Sequence, residues 1–154
     1  MTLNQKIIIF IATGFYSGRL PFAPGTFGTI AAIPFALVFL IIPTSFVGIY
    51  ISALILVAIY FSDQAEKILE KKDPGCIVID EIAGYVVTMA WVPINIYTIV
   101  AGFFIFRFFD IVKLAPVKYF ERNFSGGAGV VLDDIMAGIL SAAVLRILYL
   151  SGIF

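Results

Sequence analysis

The chain has 154 residues, 62% hydrophobic and only 13% charged, with a net charge of zero. Soluble domains are nearer half apolar and a quarter charged, so a mean hydropathy of +1.09 predicts an integral membrane protein, read as a single domain over 1–154. The balanced charge leaves no footprint for nucleic acid, the absence of histidine removes histidine nucleophiles, bases and zinc ligands, and the lone Cys76 excludes an intramolecular disulfide.

Residues 7–16 are apolar but too short to cross a bilayer, which predicts a re-entrant or interfacial helix; no small-residue cleavage site follows that would make it a signal peptide. A proline–glycine loop from Ser17 to Thr29 then opens the first span, with Arg19, Thr26 and Thr29 as candidate donors. Spans are predicted at about 27–42, 46–62, 76–92, 96–114 and 130–150, with Pro34 kinking the first. Asp73-Pro74-Gly75 reads as a turn capping the third. The fold class is therefore all-α: a polytopic helical bundle of about five spans plus a short N-terminal helix.

Loop charges orient this bundle. The connections Pro43–Ser45 and Pro93–Asn95 and the tail after Leu150 are uncharged, whereas the other side carries Lys6, Arg19, Lys67, Lys71, Lys72, Lys113, Lys118 and Arg122. Positive charge marks the cytoplasmic side, so the expectation is a multi-pass protein of the cell inner (cytoplasmic) membrane. Arg146, near the other end, is most simply a snorkelling arginine.

Against this apolar background Asp80 and Glu81, Arg107, Asp110 and Lys113, and Asp133 and Asp134 all fall toward the cytoplasmic end of their spans. An ionised group in hydrocarbon costs several kcal/mol, so such residues face a wet cavity, pair with one another or bind cations. Asp80 and Glu81 point about 100° apart on a helix and cannot share one narrow ion pair, which makes metal ligation or general-base work the reading for at least one of them. Arg107, Asp110 and Lys113, spaced by three, share a helix face. There either Arg107 and Asp110 form an internal pair beside a snorkelling Lys113, or Arg107 and Lys113 hold phosphate oxygens while Asp110 orients them or binds metal. Asp133 and Asp134 repel unless a cation neutralises them. Gly126-Gly127-Ala128-Gly129, one turn earlier, is either a linker or a run of backbone N–H groups offered to an anion.

Four segments in order, PFAPGTFGT, DPGCIVIDEIAG, FRFFDIVKLAP and GGAGVVLDDIMAG, resemble the phosphatidylglycerophosphatase A family over residues 14–140. The resemblance implies an all-α, Mg²⁺-dependent lipid phosphatase that removes the terminal phosphate of phosphatidylglycerophosphate to give phosphatidylglycerol. It places the family's acidic motif positions on Asp73, Asp80, Glu81, Asp110, Asp133 and Asp134, and its basic ones on Arg107 and Lys113. On this expectation Asp80, Glu81, Asp110 and Asp134 are catalytic, and Asp80, Glu81, Asp133 and Asp134 hold Mg²⁺. Arg107, Lys113, Arg19 and Thr26 bind the phospholipid substrate, at an active site facing the cytoplasm.

The residues argue the same way by elimination. Cys76 has Ile82, not arginine, six positions on; no D-x-D sequence occurs; and histidine is absent. One or two Mg²⁺ ions on carboxylates, with water attacking in line, remain. An ion-pathway protein or transporter using the buried charges is the alternative, disfavoured because it predicts charges spread through the bilayer depth where these cluster at one side; the D-G-x2-A-R sequence of a headgroup transferase is not present. A phosphatase for another phosphomonoester stays open, and so does the oligomeric state.

Overall fold

Every regular element among residues 1–153, which the computed structural model describes, is helical. The side chains of 120–122 lie outside the described residues, Arg122 of the loop cations among them. Helix α1 (Leu3–Ala12) begins earlier than expected because Thr2 and Gln5 form a capping box, and it stops where Gly14, Phe15 and Tyr16 turn to positive φ.

The expected span at 27–42 is broken. Pro24 occupies the first turn of α2 (Pro24–Ala31), and Pro34, lacking an N–H, starts a new short helix α3 (Ile33–Leu37) that ends in a 3₁₀ turn at Val38–Leu40. The next helix, α4 (Val47–Leu69), runs two turns beyond the expected 46–62, through a polar stretch held by the Asp63–Lys67 pair at 2.6 Å.

The expected span at 76–92 shrinks most. Asp73 adopts positive φ and does not cap it; its N–H instead donates to Glu66 Oε1 at 2.6 Å. Val78 donates to the Ala12 carbonyl at 3.0 Å, so helix α5 (Ile79–Met89) starts only after that. Eleven residues rise about 16 Å, roughly half a hydrocarbon core. All of α5 except Glu81 is buried, so it is the hub of the bundle and has little lipid-facing surface.

Asn95 caps α6 (Ile96–Val112), which Lys113 ends at positive φ. A short α7 (Val117–Asn123) leads to α8 (Gly126–Leu150), whose first turn absorbs the glycine run. By length and composition two helices are able to cross a membrane among the described residues, Thr44–Leu69 and Gly126–Leu150, where five spans were expected. The α8 helix packs along α5 and against α4, α6 and α7. One apolar core lies among α1, α4, α5 and α8, and a second among α3, α5, α6 and α8.

Candidate active site

Two glycines set the geometry of the site. A Cβ on Gly84 of α5 would lie 2.6 Å from the Asp134 carbonyl oxygen and 2.7 Å from the Phe106 ring, and one on Gly138 of α8 would strike the Gly84 carbonyl. The two backbones are therefore in contact. Asp80 sits four residues before Gly84 and Asp134 four before Gly138, so each carboxylate rides on the same face as its glycine, one turn nearer the helix start. The crossing thus brings the carboxylates together: one oxygen each from Asp80, Glu81 and Asp134 lie within 4.8 Å of one another. Their separation by about 100° on the wheel does not keep Asp80 and Glu81 apart.

Helix α6 completes the wall. Arg107 pairs with Asp110 on its own helix and reaches Glu81 at 3.9 Å. At the helix end Lys113 donates to Asp133 at 2.9 Å. The adjacent aspartates are divided: Asp133 turns to Lys113, and Asp134 to the carboxylate cluster.

A cleft of about 340 Å³ opens onto these groups, and its lining includes Asp73, Asp80, Glu81, Arg107, Asp110, Lys113, Asp133 and Asp134. Six carboxylates against two cations is an excess that self-repels unless protons or a further cation neutralise it. The Glu81 Oε2 atom is buried without a hydrogen-bond partner, an arrangement that costs free energy and that a cation at the cluster would relieve. Clustered hard oxygen donors, one of them orphaned, fit Mg²⁺.

Several residues of this site escape a reading by charge alone. Gly25, on the first turn of α2, lies against the Glu81–Arg107 pair: a Cβ there would lie 2.8 and 2.9 Å from the two terminal guanidinium nitrogens and would strike Glu81 Oε1. The sequence signal was the Pro24-Gly25 pair. For Gly84 and Gly138 the signal was the spacing D-x-x-A-G, present at Asp80–Gly84 and again at Asp134–Gly138. Gly127 allows α8 to touch α4: its Cβ would lie 2.6 Å from the Asp63 nitrogen, and a Cβ on Gly126 would lie 3.0 Å from an Asp63 carboxylate oxygen. The chain's own acid thus occupies the glycine-rich helix start. Neither Arg19 nor Thr26 lines the cleft; Arg19 stands 5.0 Å from the Tyr16 ring centroid.

The chain matches the family described as phosphatidylglycerophosphatase A over residues 10–149. A phosphatidylglycerophosphatase A of Escherichia coli (strain K12) is 39% identical over 136 residues, covering 88% of this chain and 79% of the relative. One from Haemophilus influenzae is 32% identical, covering 87% and 83%. A Bacteroides thetaiotaomicron protein that carries a phosphatidylinositol-3-phosphatase name is 37% identical, covering 86% and 87%. No solved structure matches the chain.

Proposed function

The chain belongs to the phosphatidylglycerophosphatase A family and is a phosphatase; on that premise we propose that it hydrolyses the terminal phosphomonoester of phosphatidylglycerophosphate, yielding phosphatidylglycerol and inorganic phosphate, with Mg²⁺ as cofactor. The observation that carries this reading is the trio Asp80, Glu81 and Asp134, converging within 4.8 Å beside Arg107.

Asp80, Glu81 and Asp134 would hold the Mg²⁺, which would neutralise this cluster and supply Lewis-acid polarisation of the phosphoryl group. Arg107 grips the phosphate: its planar guanidinium engages two oxygens at once, and Asp110, three residues on, fixes its orientation. Lys113, steered by Asp133, adds a second positive charge where negative charge builds up in the transition state. A water attacks phosphorus in line with the leaving glycerol oxygen; a carboxylate of the cleft takes the water's proton as the P–O bond to glycerol breaks, and a proton is returned to that leaving oxygen to give the hydroxyl of phosphatidylglycerol.

The whole chain acts as one domain in the inner membrane, crossing it several times, with the cleft at the cytoplasmic face. Support comes from the cations at the cleft end of the bundle and from the uncharged turns at the opposite end; Arg146, the one cation near that end, donates to the Trp91 carbonyl.

The test is product analysis. Purified protein in detergent–lipid micelles with Mg²⁺ is expected to convert phosphatidylglycerophosphate to phosphatidylglycerol plus stoichiometric phosphate. It should do so faster than it dephosphorylates phosphatidylinositol 3-phosphate. The reverse preference would replace the substrate and keep the reaction.

A further inference from the structure

One face of α6 is apolar, exposed and continuous with the cleft. Tyr97, Ala101, Phe104, Phe108 and Ile111 follow one another at intervals of four, three, four and three, so they form a single stripe, exposed except at the half-buried Ala101, which packs against the core. Phe104, Phe108 and Ile111 are 66%, 53% and 68% exposed, and Ile111 is also part of the cleft lining.

We propose that this stripe is an acyl-chain track, which holds the fatty tail of the phospholipid whose phosphate sits at Arg107. The inference rests on the lipid-phosphatase reading above and adds to it where the tail binds. Arg107 lies between Phe104 and Ile111 in sequence and about 40–60° round the helix from them. The phosphate grip and the track therefore lie on neighbouring faces of α6, close enough for the glycerol–phosphodiester–glycerol link that separates the terminal phosphate of phosphatidylglycerophosphate from its acyl chains to bridge them.

Two further observations favour this occupant. The far end of the stripe opens into a hollow of about 440 Å³ lined by Ile96, Tyr97, Val100 and Ala101. From Ile111 to Ala101 the helix rises about 15 Å, half of a roughly 30 Å hydrocarbon core and hence the depth of one leaflet. A tail whose headgroup enters the cleft ends at that hollow. The track is also stiffened from behind: Phe104 makes an edge contact with Phe103 at 5.4 Å, and Phe108 with Phe109 at 5.4 Å. Phe103 and Phe109 both pack against the core, so the two exposed rings are held in place.

The test compares dipalmitoyl with dihexanoyl phosphatidylglycerophosphate in the same detergent micelles, as the ratio of their kcat/KM values. In the Phe104→Ala/Phe108→Ala double variant this ratio is expected to fall about tenfold, the effect of removing a well-seated aromatic contact. The Phe108→Leu variant should keep most of it. A wild-type protein active on both lipids, with a double-variant ratio within about twofold of its own, overturns the track alone; a wild type that releases phosphate from neither overturns the phosphatase reading along with it. Cross-linking needs no variant: a diazirine-tailed phosphatidylglycerophosphate should label residues 97–111 of the wild-type protein. Labelling concentrated on α4 instead would reject the track.

Discussion

Gly138 of α8 lies so close to the Gly84 carbonyl of α5 that a single added methyl has no room, and this contact fixes the distance between Asp80 and Asp134. Either Gly84→Ala or Gly138→Ala should force the helices apart at a cost of about 1–3 kcal/mol. The thermal midpoint and phosphatase activity should fall together. A variant as stable and active as wild type would mean that the crossing tolerates a side chain and does not set the site.

Gly25 serves a different purpose. Its missing side chain makes space for the Glu81–Arg107 pair, and α2 lies at the edge of the bundle, so Gly25→Ala should leave the fold nearly intact. Displacing Arg107 by about an ångström should lower turnover about a hundredfold. Comparing kcat with the melting temperature checks this: a stability loss with normal kcat in the folded fraction would make Gly25 a packing residue only.

Arg107→Lys keeps the charge and removes the two-pronged grip on phosphate. Turnover should drop about a hundredfold, as when one oriented donor is lost from an active site, while the Mg²⁺ concentration for half-maximal activity stays near wild type. If Arg107 were only the structural partner of Asp110, the melting temperature would fall and the specific activity of the folded fraction would not.

The neighbouring aspartates should separate. Asp134 belongs to the carboxylate cluster and Asp133 to Lys113. Asp134→Asn should raise the Mg²⁺ requirement by an order of magnitude or more, whereas Asp133→Asn should chiefly raise KM. Titrating activity against Mg²⁺ in the two variants decides it, and equal shifts would return Asp133 to the metal.

Much of this site was legible in the sequence, because charge inside an apolar run is rare and costly, and Arg107, Asp110 and Lys113 are spaced for one helix face. The length of the helices was less so. An apolar run reads alike whether lipid or protein covers it, and α5, apolar and almost wholly buried, is too short to span although its run suggested a crossing. The division between Asp133 and Asp134 depends on how α8 is rotated against α5 and α6, which no single helix encodes. The carboxylates drew attention by charge, whereas the glycines that bring them together are apolar and were visible only in the repeated D-x-x-A-G spacing.

The central claim is that the carboxylate trio works by holding Mg²⁺, and the most direct measurement is phosphate release from phosphatidylglycerophosphate by the purified wild-type protein after exhaustive chelation and then across a Mg²⁺ titration. Activity should vanish in chelator and return in full with Mg²⁺. Undiminished turnover in the chelated protein would contradict the account.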